Sequence, residues 1–202
     1  MVETVWVSRI IAGIEAWRPM LFDGHHDLED QHRNMRGESL PPECFPDRMW
    51  GSKDFRKDKK LGDLFHAGTY WMVSRAVADA MGTCDLGGGH LYPVALFGKD
   101  RVTPLEGEWF CINFGNAKPN GVLLEQSPGA LQNPWNKADW CLNASVNDDE
   151  IVISQWVLGG PDIWVDPSIR EAVFMSERMA LALGKAKVLK AFGLKRCRID
   201  GA

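Results

Sequence analysis

The sequence feature that most constrains the fold is a stretch near the C-terminus, residues 169–184, which predicts a strand that runs directly into a helix. An apolar run at 172–175 is typical of a buried strand. Ser176 follows it, and a serine hydroxyl at this position can accept hydrogen bonds from the first turn of a helix. Small and apolar residues then recur at near-helical spacing from 179 to 183, before the helix stop Gly184. Because this stretch carries no catalytic group, we expect it to build the core.

A second copy of this pattern occurs 102 residues earlier in the chain. The offset that places Ser74 on Ser176 also aligns three further pairs of small residues, which are Ala78 with Ala180, Ala80 with Ala182 and Gly82 with Gly184. Each copy is followed by a strand candidate, at 90–97 and at 194–199. Internal self-similarity of this kind indicates repeated supersecondary units. The sequence therefore predicts two strand–helix–strand units.

Length and composition fit one domain of the α+β class. A chain of 202 residues can bury one substantial core, and 45% hydrophobic with 25% charged residues is ordinary for a globular protein. Further strands are predicted at 107–114, 122–125, 150–158 and 163–165, and a long connection at 129–147. Because strands outnumber helices, we expect a single domain over residues 1–202 with a mixed or antiparallel sheet.

The first 62 residues are predicted to form a divergent, partly irregular extension of a core that spans 63–202. Residues 2–14 favour an opening strand, with Trp6 and Ile10 as its core contributions. From 23 to 60 the chain is polar, rich in charge and interrupted by prolines. This segment predicts an irregular excursion over the surface that includes one short strand or turn of helix.

Charge and cysteine usage restrict the partners and the compartment. A net charge of −4 and a pI of about 5.7 argue against nucleic-acid binding, which needs a surplus of Lys and Arg, and suit a basic protein partner better. Five scattered cysteines without a C-x-x-C pair fit reduced thiols. The N-terminus lacks the pattern of a secretory signal, and no apolar run is long enough to span a bilayer. We therefore expect a cytoplasmic protein.

The sequence carries none of the common motifs for phosphate binding, dinucleotide binding, zinc proteolysis or serine hydrolysis. A triple glycine at 87–89 follows a helix stop and leads into a strand, whereas phosphate loops run from strand into helix. We interpret it as a flexible turn. No cofactor and no small-molecule substrate are predicted.

One polar segment supports an alternative function. His25 and His26 lie close to several carboxylates and a third histidine, namely Asp23, Asp27, Asp30 and His32. Histidines and carboxylates together can bind a divalent metal and activate water, as in a nuclease or another metal-dependent hydrolase. The acidic surroundings would repel a phosphodiester substrate. The other interpretations are a solvated polar loop and a negatively charged loop that meets a basic partner.

Aromatic and acidic residues indicate where a protein partner would bind. Three of the nine tryptophans, Trp109, Trp156 and Trp164, occupy predicted strands and are expected in the core, whereas two others lie in the long connection. A second acidic run enters a strand at 148–150, and its reversal to lysine at 148 and 150 is expected to slow association and leave folding intact. The predicted partner-binding residues are Asp23, His25, His26, Asp27, Glu29, Asp30, Trp135, Trp140, Asp148, Asp149 and Glu150.

The order of several short motifs resembles a known family. Tyr92-Pro93-Val94, the segment Glu108 to Asn113, Leu124-Glu125-Gln126-Ser127 and the segment Val173 to Leu183 follow one another as in the eleventh immunity family of bacterial polymorphic toxin systems, formerly a domain of unknown function. The resemblance runs from about Asp63 to Ile199. The motifs are structural, and their order and spacing carry the likeness.

The resemblance implies an inhibitor and not an enzyme. Such immunity proteins bind a cognate toxin, often one delivered between neighbouring cells by a contact-dependent apparatus such as type VI secretion, and protect the producer and its kin. They have no catalytic residues. The family is similar across many toxin chemistries, so the resemblance does not identify the toxin's activity. A scaffold or regulatory module with another partner remains a third interpretation.

Overall fold

The computed structural model describes residues 3–22, 28–55, 61–68 and 70–201. These residues contain 15 strands and three α-helices, which in chain order are β1 (Val5–Ser8), β2 (Trp17–Arg18), β3 (Met20–Leu21), α1 (Leu28–Met35), β4 (Arg48–Gly51), β5 (Leu64–Ala67), β6 (Tyr70–Ser74), α2 (Arg75–Met81), β7 (His90–Phe97), β8 (Trp109–Asn113), β9 (Ala130–Gln132), β10 (Trp140–Leu142), β11 (Val152–Ile153), β12 (Ile163–Val165), β13 (Val173–Ser176), α3 (Glu177–Lys185), β14 (Leu194–Arg196) and β15 (Arg198–Ile199).

Two sheets organise the molecule. A seven-stranded sheet has the order β2-β5-β6-β8-β7-β4-β3 and is antiparallel except at the β2–β5 and β4–β7 pairs. A four-stranded antiparallel sheet has the order β12-β13-β1-β14. Two smaller pairs are the β9–β10 hairpin and the parallel β11–β15 pair. The predicted α+β class with mixed and antiparallel sheets is confirmed, and strands dominate it.

The predicted pair of strand–helix–strand units is confirmed, and the pairing register extends the repeat beyond the helices. In the first unit, β8 lies between β6 and β7 and sets Trp109 opposite Ser74. In the second, β1 lies between β13 and β14 and sets Val5 opposite Ser176. The central strand therefore follows the rest of its unit in the first copy, whereas it comes from the N-terminus in the second. Only tertiary pairing completes the second unit.

The main core lies where the two units meet. Helices α2 and α3 contact each other, and the N-terminus of each is capped by the hydroxyl of the last residue of the preceding strand, Ser74 or Ser176. The buried residues of this core come from both helices and from one face of each sheet. They include Val73, Val77, Met81, Ile112, Val173, Met175, Met179 and Leu183. Further clusters cover the other faces of the seven-stranded and the four-stranded sheet.

The N-terminal part differs from its prediction in two respects. In β1 it is Val5 and Val7 that are buried, while Trp6 is half-buried, because alternate strand residues point to opposite faces. Ile10 is half-buried as well. The segment expected to be irregular contains α1 and β4, and β4 pairs with β7 inside the large sheet. The pairing of β4 with β7 cannot be predicted from the four residues of β4, because it joins segments that are far apart in the chain.

Three connections were also predicted with the wrong conformation. The expected strand at 122–125 is a single bridge at Val122 followed by a 3₁₀ turn, Leu124–Gln126. The expected strand at 150–158 shortens to β11 and a second 3₁₀ turn, Gln155–Val157, which exposes 53% of Trp156. The expected connection at 129–147 folds into the β9–β10 hairpin.

The triple glycine is a tightly packed turn and not a flexible one. A Cβ added to Gly88 would lie 2.6 Å from the carbonyl oxygen of Gly115, so the two backbones touch. Asn116 fixes this contact, because its Oδ1 accepts from the Gly88 N–H at 2.9 Å and its Nδ2 donates to Leu86 O at 2.7 Å. The glycines are required by close approach of the two segments.

Candidate binding surface

The most exposed large apolar side chain among the described residues is Trp135, with 92% of its surface accessible. It lies in the loop that joins β9 to β10, which we call the Trp135 loop (residues 133–139). Exposing an indole to this extent forgoes the free energy that its burial would give. The prediction that Trp135 is exposed is confirmed.

Side-chain hydrogen bonds order the Trp135 loop. Asn133 Oδ1 accepts from the N–H of Trp135 at 3.0 Å and from that of Asn136 at 3.3 Å, while Asn133 Nδ2 donates to Asp139 Oδ2 at 2.9 Å. Arg170, from the loop before β13, donates to both carboxylate oxygens of Asp139 at 2.7 and 2.9 Å. The hydrogen bond from Asn133, followed by that from Arg170, lowers the pKa of Asp139. These contacts hold the exposed indole on a loop with a defined conformation.

A groove begins at the base of this loop. Its wider cavity, of about 560 Å³, lies between the loop end at Asp139 and Trp140, the chain at 167–171, and helix α1 at His32, Met35 and Arg36. A second cavity, of about 360 Å³, lies beside it and extends to residues 11–17 of the N-terminal segment. His32, Met35 and Glu171 line both cavities. We call the two cavities together the α1 groove.

Helix α1 forms one wall of the groove because a buried amide fixes it to the large sheet. Asn34 Nδ2 donates to Ile112 O at 2.9 Å, and Asn34 Oδ1 accepts from Phe114 N at 3.0 Å. Asn34 thereby pairs with the backbone at the end of β8 like one more strand residue. Its neighbours on the helix are left to face the groove.

The narrower cavity is mainly apolar and has an aromatic rim. Ile14 is 86% exposed and Trp17 is 48% exposed at its mouth. His66 from β5 stacks on Trp71 from β6, with ring centroids 4.8 Å apart and an interplanar angle of 26°. Large apolar side chains that stay exposed around a concavity are typical of a protein-binding site.

Glu171 lies where the two cavities join and has an unusual backbone. Its φ is +61°, in the left-handed region that disfavours a residue with a side chain. Partial burial against the groove walls raises the pKa of its carboxyl, and nearby Arg170 opposes this effect. Strained backbone conformations persist where the surrounding structure imposes them and are frequent at functional sites.

Of the predicted partner-binding residues, Trp135 and Trp140 lie on this surface. Glu29 and Asp30 lie in the first turn of α1 but line neither cavity, and they pair with basic residues of the same region, Glu29 with Arg36 at 3.5 Å and Asp30 with Arg33 at 2.9 Å. Trp140 is half-buried and forms part of the groove wall, so its predicted exposure is only partial. Asp23, His25, His26 and Asp27 lie outside the described residues.

The acidic run at 148–150 has a local structural role. Asp148 Oδ1 accepts from the N–H of Arg196 at 2.8 Å, and Asp149 forms an ion pair with the Arg196 side chain, so the run covers the open edge of β14. The pKa of Asp149 is lowered mainly by its hydrogen bond from Arg196. Glu150 accepts from Asn147 N at 2.8 Å. Reversing these charges would break loop contacts, so the prediction that folding stays intact does not fit this geometry.

Sequence reasoning missed Ile14, Trp17 and Glu171. Nothing in the order of residues marks the first two as exposed, because an apolar residue near a strand is ordinarily buried. The conformation of Glu171 depends on how the chain at 167–171 packs between α1 and the hairpin. The positive φ of Glu171 cannot be predicted from the composition of the surrounding sequence.

Among the described residues, no cluster of three or more His, Cys, Asp or Glu side chains has a geometry suited to a metal ion. All five cysteines are free thiols, and burial raises the pKa of each; for Cys111 and Cys197, which are buried, the effect is large. Raised thiol pKa values disfavour the reactive thiolate. Cys111 and Cys197 lie in the core and contribute packing.

The sequence matches no protein-family model and no curated protein. The resemblance to the eleventh immunity family stays a prediction from the residues quoted above. In the part of the chain that the structure describes, none of the helices combines the length and the apolar character needed to cross a bilayer.

Proposed function

We propose that the protein is an immunity protein that binds a cognate antibacterial toxin and neutralises it stoichiometrically, using the Trp135 loop and the α1 groove as its binding surface. The observation that supports this most is the combination of a 92% exposed tryptophan with a hydrogen-bonded loop that holds it beside the groove. A rigid aromatic anchor loses little conformational entropy on binding, which is the main cost that an interface has to overcome.

The scale of the surface is sufficient for tight binding. A standard interface takes about 800 Å² from each partner, which is less than about a tenth of the 10528 Å² accessible surface of this molecule. Nanomolar affinity corresponds to about −12 kcal/mol. An area of this size can supply that free energy when a few aromatic anchors are buried at its centre.

The charge of the protein supports a basic toxin as partner. The net charge of −4 would attract a positively charged protein over several ångströms and increase the association rate. This contribution should decrease as salt is added, because mobile ions screen exposed charges beyond about 10 Å at 0.1 M ionic strength. Occlusion of the toxin's active site is the simplest mode of inhibition for a surface with a protruding anchor.

The test is co-expression with the product of the adjacent gene, followed by co-purification and by growth of cells that express that product. A stable complex and restored growth are expected. Trp135→Ala should weaken binding by about 10-fold or more, as is usual for an anchor tryptophan. Trp156→Ala is the matched control, because Trp156 is also exposed but lies outside this surface.

Two results would count against the proposal in different ways. Absence of both a complex and protection would reject the toxin-binding function. Equal binding by the Trp135→Ala and Trp156→Ala variants would leave the function standing and reject this surface.

A further inference from the structure

We propose that the α1 groove receives an extended segment of the toxin in which a lysine or arginine pairs with Glu171 and a neighbouring apolar side chain enters the cavity beside Trp17. This inference rests on the function proposed above and names the chemistry of the partner segment. Its evidence is the distribution of charges, apolar surface and backbone strain along the groove.

Among the described residues of the groove, one carboxylate forms no hydrogen bond or ion pair. Arg170 is occupied by Asp139, and Arg36 lies 3.5 Å from Glu29. Glu171 forms no hydrogen bond or ion pair with the described residues, although it lies between these pairs on the shared wall of both cavities. Because Arg170 and Arg36 are already paired with carboxylates, the carboxylate of Glu171 gives this part of the groove a local negative charge. A partner segment with a lysine or arginine at this point is therefore favoured, and an acidic segment is repelled.

The two cavities differ in polarity, and this difference determines the direction in which the toxin segment lies in the groove. The wider cavity beside Glu171 has a mixed polar and charged lining that includes Ser168 and Arg170. The narrower cavity is formed largely by Ile11, Ile14, Trp17 and Trp71. With about 360 Å³, it is at the lower end of the range for ligand pockets and suits one apolar side chain.

The backbone of Glu171 provides a second, independent indication. A non-glycine residue at φ +61° costs stability that a glycine at the same position would not. A glutamate kept in such a conformation beside two cavities costs stability, and its carboxylate forms no hydrogen bond or ion pair with the described residues. The carboxylate of Glu171 is therefore the group that pairs with the lysine or arginine of the toxin segment.

The test compares the Glu171→Gln, Glu171→Gly and Glu125→Gln variants, with Glu125 as an exposed glutamate remote from the groove. Affinity for the co-expressed toxin is measured by calorimetry, and thermal unfolding is measured without toxin. We expect Glu171→Gln to weaken binding about 10-fold or more with an unchanged melting temperature. Glu171→Gly should weaken binding similarly and raise the melting temperature, because it removes the strain. Glu125→Gln should change neither.

A scan of lysine and arginine to alanine on the toxin identifies the paired residue. One basic position should lose affinity against the wild-type protein and show no further loss against Glu171→Gln, as expected for two groups that interact directly. Trp17→Ala should also weaken binding, while Trp156→Ala should not.

The outcomes separate the two proposals. Wild-type affinity in Glu171→Gln, or no coupled basic position, overturns the inference while toxin binding itself stands. A lowered melting temperature in Glu171→Gly overturns the argument from strain and with it the assignment. If the wild-type protein does not bind the toxin, the proposed function fails and this inference fails with it.

Discussion

Ser176 Oγ donates a hydrogen bond to Asp162 Oδ1 at 2.5 Å while it accepts one from the N–H of Met179 at 3.1 Å, so one hydroxyl joins the turn before β12 to the end of β13 and the start of α3. The first unit repeats the arrangement with Ser74 and Asp63, at 2.8 Å. In both units the serine N–H also donates to the carbonyl of the same aspartate, at 3.0 and 3.1 Å. The repeat thus includes an aspartate that the sequence comparison did not align.

Substitution of the two capping serines should have unequal effects. Ser176→Ala should cost about 1–2 kcal/mol, because it removes a cap and a hydrogen bond to the buried Asp162. Ser74→Ala should cost less, since its cap to Val77 is longer, at 3.5 Å, and Asp63 is only half-buried. Urea denaturation of both variants measures the difference. A larger effect at Ser74 would contradict this account of the two caps.

The conformational order of the Trp135 loop should depend on pH, because Asp139 holds the loop only when its carboxylate is ionised. Its pKa in the folded protein is lowered from the ordinary value of 3.8, so its contribution is complete above pH 3.8 and is lost as the pH falls through the lower, folded-state pKa. NMR relaxation of the Trp135 indole N–H should report a rigid loop down to that point. Asp139→Asn should make the loop more mobile at neutral pH and remove the acid transition. The indole signals of the buried Trp164 serve as a control for global unfolding.

Gly88 and Gly159 should respond differently to a methyl group. Gly88→Ala should cost about 3 kcal/mol, at the upper end for overpacking, because its Cβ would meet the Gly115 backbone at 2.6 Å. Gly159→Ala adds a Cβ with no neighbour within 4 Å and should cost about 1 kcal/mol from its φ of +80° alone. Thermal and urea unfolding give both values. Equal costs would mean that the 87–89 turn can yield to the added methyl group.

Lys118 should stabilise the fold mainly through backbone carbonyls and an aromatic ring. Its Nζ donates to Val157 O at 2.6 Å and to Gly159 O at 2.8 Å and lies 3.8 Å from the centre of the Trp164 ring. Lys118→Met keeps most of the unbranched side chain without the ammonium group and should cost about 2 kcal/mol through the loss of these charge-assisted contacts. The exposed Lys137→Met is the control and should leave stability unchanged. A stabilised Lys118→Met variant would show that the free-energy cost of burying the lysine charge exceeds the stabilisation from its contacts.

The local secondary structure around the two capping serines can be predicted from the sequence. The Ser176 cap, the helix that follows it and its copy at Ser74 depend on contacts within a few residues, so periodicity and capping preferences predict them. The exposure of Trp135 was also predicted, because a tryptophan in a polar connection has no apolar strand partners. The hairpin that presents it was not, since β9 and β10 are only three residues long each.

The sequence by itself determined the two strand–helix–strand units, the α+β class and the acidic character of the surface, because each depends on local pattern or on composition. The tertiary structure decided that β1 completes the second unit, that Asn34 fixes α1 to the end of β8, and that Glu171 lies between two cavities. These relationships join residues that are far apart in the chain. Their free energy comes from pairing and burial across that separation, and no short stretch of sequence records it.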